Sequence, residues 1–396
     1  MKYKWLLIAL LWVAALLNYL DRQMLSTMRV AIQADIAELD SALNFGRLMA
    51  VFLWIYGFMS PVSGFIADKW NKKWLIVGSL FVWSGVTFLM SYASTFQELY
   101  ILRALMGVSE AIYMPTSLAL IVQYHDSKTR SLAVGLHLTG FYVGQSLGGF
   151  GAMIAESFSW QSTFGIFGIV GMIYSFVLLF ALKSSPNVKV EAKKERSSWD
   201  LFKTLPFYIV LLYFTLPAIP GWAIKNWLPT LFSENLGISM STAGPLATIC
   251  FSMSSLVGVL IGGSISDRWI KKNLRARQFI SAFGVFLCIP SLLLMAYGSS
   301  ILVCGLAAVM GGIGFGFFDT NNMPIVCQFI SIKSRATAYG MMNMLSVFTG
   351  AMATTVLGKY SDENRLGDAF SYLIVLLVFA IILQFIFLKP KTDDYV

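Results

Sequence analysis

Charge is what this chain has least of. Only 12% of its 396 residues are Asp, Glu, Lys or Arg, about half the share of a soluble domain, which carries roughly a quarter. That shortage excludes an ordinary soluble enzyme. Histidine is scarcer still, with two residues. No HExxH or metal-spaced His/Cys group occurs, so no metal or cofactor is expected and an integral-membrane enzyme lacks its chemistry. The four cysteines, Cys250, Cys288, Cys304 and Cys327, lie in apolar runs without a CxxC pair. They read as small hydrophobes, not as disulfide partners or metal ligands. Asn-x-Ser/Thr sequons are absent, which favours a bacterial inner membrane over a glycosylated secretory route. No small-residue cleavage site follows the apolar opening Met1–Leu17, so it reads as a first span and not as a cleaved signal.

Hydrophobic residues make up 57% of the chain. They fall in long unbroken runs, which excludes the alternating pattern of a transmembrane β-barrel. A helical span takes about 20 mainly apolar residues. Twelve segments qualify: 5–27, 44–66, 73–93, 98–123, 130–155, 161–182, 206–232, 241–266, 277–298, 300–328, 336–358 and 369–388. The expected fold is an all-α polytopic membrane protein with twelve transmembrane helices. The one long polar stretch, from Lys183 to Thr204, separates six spans from six. The expected division is a half over 1–182, a cytoplasmic linker over 183–205 and a half over 206–396.

Net charge is +9, but the basic residues cluster between apolar runs and line no polar face, so nucleic acid is not an expected partner. With the N-terminus inside, 22 of the 29 Lys and Arg residues fall in inside segments, and only Arg29, Arg47, Lys359 and Arg365 outside. That bias predicts a multi-pass plasma-membrane protein with both termini cytoplasmic. Arg22, Arg103 and Lys225 remain within spans.

A repeat supports the two halves. The loop Gly64-Phe-Ile-Ala-Asp68-Lys-Trp-Asn-Lys-Lys73 recurs as Gly263-Ser-Ile-Ser-Asp267-Arg-Trp-Ile-Lys-Lys272, offset by 199 residues. Two parallel six-helix halves with a site between them follow from such a repeat. The duplicated loop resembles the signature loop of the major facilitator superfamily. Within it, Asn18-Tyr19-Leu20-Asp21-Arg22, Arg103-x6-Glu110-Ala111 with Pro115, and Trp227-Leu228-Pro229-Thr230 are similar to the first, fourth and seventh helices of the anion:cation symporters. That group includes bacterial sugar-acid permeases, sialin and the vesicular glutamate transporters. The lipid-transporting spinster group also shows an Asn-Tyr-x-Asp-Arg first helix.

Charges inside a span cost roughly 2.5–3.5 kcal/mol each on insertion scales, so each one needs a reason. Asp21 and Arg22 read as a titrating carboxylate beside an anion-holding cation, or as a fixed ion pair that locks helices. Arg103 and Glu110 share one helix face, about 10 Å apart along the axis. Arg22 and Arg103 fall at one depth, where two guanidiniums suit a carboxylate. The alternative is an Arg103–Glu110 pair that only stabilises the bundle. The resemblance implies that Asp21 and Glu110 couple protons and that the arginines bind an anion.

Lys225 lies in a seventh span that Pro217, Pro220, Gly221 and Pro229 are expected to break, as in discontinuous transport-site helices. It reads either as a second anion contact or as a lysine that snorkels outward. Asp319-Thr320-Asn321-Asn322 is a polar run in the tenth span. Asn321 and Asn322 read as substrate-hydroxyl ligands or interhelical hydrogen-bonders, and Asp319 as a second titrating group or a partner of Lys225. The resemblance adds Tyr19 and Tyr56 as substrate contacts, alongside Gln145. Gln145 stands where superfamily antiporters place a proline, an argument against antiport. His137 suits proton transfer by its ordinary titration range, or is a structural hydrogen-bonder. Asp68, Arg130 and Asp267 are implied as a conformational latch.

The expectation is therefore a secondary active transporter that imports a small organic anion, a sugar acid or similar carboxylate, with protons by alternating access. Sodium remains open as the coupling ion, and a monomer in the lipid bilayer is expected. The rival is a spinster-like exporter of lysolipids or other amphipathic molecules.

Overall fold

The computed structural model describes residues 2–125, 129–183, 204–331 and 334–392. Most of the expected linker lies outside the described residues. The chain is helical throughout: α1 Lys2–Thr27, α2 Arg29–Asp35, α3 Ala42–Lys69, α4 Lys72–Met90, α5 Phe96–Tyr124, α6 Arg130–Gly148, α7 Gly151–Ser157, α8 Trp160–Ala181, α9 Leu205–Leu236, α10 Met240–Trp269, α11 Ala276–Tyr297, α12 Ile301–Phe329, α13 Arg335–Asp362 and α14 Leu366–Phe387. Twelve of these are long; α2 and α7 are short helices of seven residues, about two turns each. Among the described residues, eleven helices are long and apolar enough to cross a membrane.

Local signals set several helix starts. Thr95 accepts from the Glu98 N–H while Glu98 reaches back to Thr95, a capping box that opens α5. Asn71 caps α4 by accepting from the Lys73 N–H, and Ser300 caps α12 by accepting from the Val303 N–H. Two expectations are corrected. The span expected over 130–155 is two helices, because the chain breaks at Gly149–Phe150, where i−3 hydrogen bonds end α6. The seventh span is not broken: α9 runs continuously through Pro217, Pro220 and Pro229. Prolines are tolerated in buried spans when neighbouring groups absorb the freed carbonyls.

The packing repeats. In the first half α1 packs on α6, α3 on α5, and α4 on α5 and α8; in the second, α9 packs on α13, α10 on α12, and α11 on α12 and α14. Each is the same helix pairing, moved by six spans. The halves meet along α3 with α13 and α6 with α10, again equivalent pairs.

These meetings lie on the side opposite the two termini, the far side. A Cβ on Gly149 would strike Thr248 Oγ1 and the Gly244 carbonyl, so only glycine lets α6 and α10 approach there. Asp362 accepts hydrogen bonds from the Ala42 and Leu43 N–H groups at the start of α3, at 2.5 and 2.9 Å. Arg29 joins the same seam, donating to Ser361 at 3.3 Å and lying 3.9 Å from Glu234. The seam closes the far side and leaves a cavity between the halves, midway along the helices.

Candidate functional site

The charged residues of the spans separate into two groups. The first is buried inside the first half. Arg22 Nε donates to Glu110 Oε2 at 2.6 Å, and Glu110 is fully buried. The Arg22 guanidinium lies 4.9, 4.7 and 4.8 Å from the Tyr19, Phe52 and Tyr56 rings, which gives the cation aromatic faces in place of water. Arg103 shares the Phe52 ring at 4.8 Å and turns Nη1 to Met106 Sδ at 3.2 Å. Asp21 Oδ2 accepts from Thr87 at 3.4 Å, while Asp21 Oδ1 and Arg103 Nε have no hydrogen-bond partner among the described residues. The pair that forms is Arg22–Glu110 and not Arg103–Glu110: about 10 Å of helix separates Arg103 from Glu110, and Arg103 turns to Met106 and Phe52 instead.

The second group lines the cavity, whose volume is about 240 Å³. The first half supplies Tyr19, Met114, Leu138, Phe141, Tyr142 and Gln145; the second supplies Phe214, Ala218, Gly221, Trp222, Lys225, Phe251, Ser255, Phe315, Phe318, Asp319, Tyr339, Asn343 and Ser346. Lys225 does not snorkel. Its ammonium lies 5.0 Å from the Trp222 ring and 5.5 Å from the Phe315 ring. Asp319 accepts from Tyr142 across the two halves at 3.4 Å and from Asn322 at 3.3 Å. Lys225 and Asp319 line the same cavity, yet make no ion pair within 4.0 Å. Tyr19 stands between the groups, with one side on the cavity and its ring on Arg22 and, at 4.6 Å, on Phe141.

The other sequence candidates take these places. Arg22, Arg103, Asp21, Glu110 and Tyr56 are absent from the cavity wall; Tyr56 stacks on Phe52 at 5.8 Å. Asn321 accepts from Ser266 at 2.6 Å and donates to the Phe317 carbonyl, which ties α12 to α10 and turns it from the cavity. His137 is buried between α5 and α6, 3.3 Å from Ser117, among the Tyr113 and Phe141 rings. Arg130 and Asp267 are exposed at the terminal ends of their helices, with no ion pair among the described residues. Asp68 lies in the last turn of α3, and its side chain is outside the described part.

Sequence reasoning missed Tyr142, Trp222, Tyr339, Asn343 and Ser346. A signal existed for most of them. Tyr142 precedes Gln145 by three residues, and Tyr339, Asn343 and Ser346 follow helical spacing along one face of α13. Polarity on those faces is too dilute to stand out from ordinary interhelical hydrogen bonding.

Twelve long helices in repeated packing, closed on one side around a central cavity, have the form of a membrane transporter built from two halves. The model of the Major Facilitator Superfamily matches residues 11–354. The chain belongs to this superfamily. Superfamily relatives of this transporter include the protein spinster homolog 1 of Xenopus tropicalis, 27% identical over 395 residues, covering 93% of this chain and 75% of the relative. The D-galactonate transporter of Escherichia coli is 22% identical over 405 residues, covering 93% and 92%. Among solved structures, a bacterial homolog of the human lysosomal transporter spinster, in an inward-facing and unoccupied conformation, superposes with a TM-score of 0.84 at 17% identity, covering 100% of this chain and 99% of that one. That likeness concerns the fold. The protein is thus a multi-pass membrane transporter and not an enzyme.

Proposed function

We propose that this transporter moves a small organic anion, a sugar acid or similar carboxylate, together with protons. The observation that carries the reading is the two-layer arrangement of charge. Lys225 offers a cation on the cavity wall, and behind Tyr19 lies a buried pair, Arg22–Glu110, beside Asp21. A substrate carboxylate docks on the Lys225 ammonium, with Gln145 and Asn343 to hold its hydroxyls. Glu110 and Asp21 are the acids that carry protons. A proton taken up by Glu110 removes the charge that holds Arg22, and the freed guanidinium turns past Tyr19 toward the cavity. Substrate and proton then act on one helix, α1, which touches both halves through α6 and α9. Differential binding of this kind is what shifts a two-state equilibrium.

The halves 1–182 and 206–396 move as units in this reading, about the linker over 183–205. With both termini cytoplasmic, as the charge bias predicts, the cavity opens inward in this state. A monomer suffices, because the site is built from one chain. Two acids favour two protons per monovalent anion, which makes transport respond to the potential at about 2.3 kcal/mol per charge per 100 mV.

Proteoliposomes test the reading. Uptake of a labelled sugar acid or small carboxylate that rises with an inward proton gradient, and is lost in Glu110→Gln, is the expected result. Uptake that follows sodium and ignores pH would replace the proton. The spinster-like reading, export of an amphipathic molecule, is favoured by the nine aromatic residues on the cavity wall. Stabilisation of the purified protein by lysolipids and by no water-soluble carboxylate would establish it instead.

A further inference from the structure

Asp319 is unexplained by anion transport alone. It puts a carboxylate on the same wall as Lys225, and a fixed negative charge opposes any incoming anion. Either a proton or a cationic part of the substrate must answer it. The surroundings distinguish the two. Tyr142 donates to one Asp319 oxygen and Asn322 donates to the other, at 3.4 and 3.3 Å. An ionised carboxylate accepts from both donors at once, one at each oxygen, whereas a protonated acid would donate to the Tyr142 hydroxyl, which can also accept.

The opposite charge is also free. The Lys225 ammonium rests on rings and makes no ion pair with Asp319. Two opposite charges, each fixed by its own neighbours and held apart across one cavity, are complementary to a ligand with the same pair reversed. The wall beside Asp319 carries Phe318, and the phenols of Tyr142 and Tyr339 line the same cavity. Aromatic faces of this kind stabilise an alkylammonium group.

We propose that the cavity takes a small zwitterion, an amino carboxylate whose carboxylate meets Lys225 and whose ammonium meets Asp319 beside Tyr142. This rests on the carboxylate-transport reading above and narrows its substrate class. Because Tyr142 belongs to α6 and Asp319 to α12, the ammonium is gripped by both halves at once. Glu110 and Asp21 keep the proton.

The test is calorimetric titration of the purified full-length protein with ω-amino carboxylates of two to six carbons, straight-chain carboxylates of matched length, and gluconate. The expected result is an optimum chain length at which the amino carboxylate binds at least tenfold tighter than its carboxylate partner. Asp319→Asn abolishes that preference and leaves the plain carboxylate unchanged or tighter, whereas Lys225→Gln weakens both. Tyr142→Phe, which keeps the ring, retains part of the preference and guards against a misfolded Asp319 variant. Equal binding of the two series, or tighter binding of gluconate or the plain carboxylate, overturns the zwitterion and leaves the anion reading standing. Binding of none of them by folded wild-type protein overturns both.

Discussion

Corresponding helices of the two halves handle charge in opposite ways. In the first half, α1 and α5 carry Arg22 and Glu110, closed to 2.6 Å and screened by Tyr19, Phe52 and Tyr56. In the second, α9 and α12 carry Lys225 and Asp319, which face the cavity without pairing. The basic residue precedes the acidic one in each half, on helices related by the repeat. The difference teaches what a duplicated fold can do with one charge arrangement. On the proposed function, the pair satisfied internally answers to protons, whereas the pair left apart answers to a ligand.

The comparison breaks most readily at Arg22. Arg22→Ala leaves Glu110 buried without its cation, which costs about 3–5 kcal/mol for one lost partner of a buried pair. Thermal unfolding in detergent is expected to show a large fall, and Arg22→Ala/Glu110→Gln to recover much of it. If Lys225→Ala destabilises as much, the two pairs are not different in kind.

Lys225→Gln sharpens the other side. Losing a charge-assisted hydrogen bond to a carboxylate, worth about 1.5–3 kcal/mol, weakens binding by about 10–100-fold. The melting temperature is expected to stay close to wild type, because Lys225 has no partner to strand. Calorimetry and a melting curve on one preparation check both.

The seam between the halves gives the next effect. Gly149→Val places methyl groups on Thr248 and the Gly244 carbonyl, an overpacking that costs about 1–3 kcal/mol. The strain falls only on the state with the far side closed, so the far side is expected to open. Spin labels at the exposed Tyr92, just past the far end of α4, and Tyr297, the last residue of α11, should move apart, and an unchanged distance would detach the seam from the transport cycle. Arg29→Ala acts in the same direction more weakly. Its 3.9 Å contact with Glu234 belongs to the partly exposed class worth about 0.2–1 kcal/mol, so the same labels should show a shift of a few-fold in population at most.

Most of the fold was legible because membrane burial writes itself into composition. Long apolar runs, the Lys183–Thr204 gap and the duplicated Asp68 and Asp267 loops are one-dimensional signals. The site was legible in part. Arg22, Glu110, Lys225 and Asp319 stood out because charge inside a span is costly wherever it points. Which of them face the cavity was not legible, since adjacent residues on a helix differ by about 100° in direction. Asn321 and Asn322 show the limit: side by side in sequence, one binds Ser266 and the other steadies Asp319.

By itself, then, the sequence determined the class, the repeat and the identities of the charges, because hydrophobicity and charge act residue by residue. The tertiary structure decided the pairing. Arg22 rather than Arg103 holds Glu110, Tyr19 divides cavity from buried charge, and α6 breaks at Gly149, because each depends on side chains from distant segments meeting at one point in space.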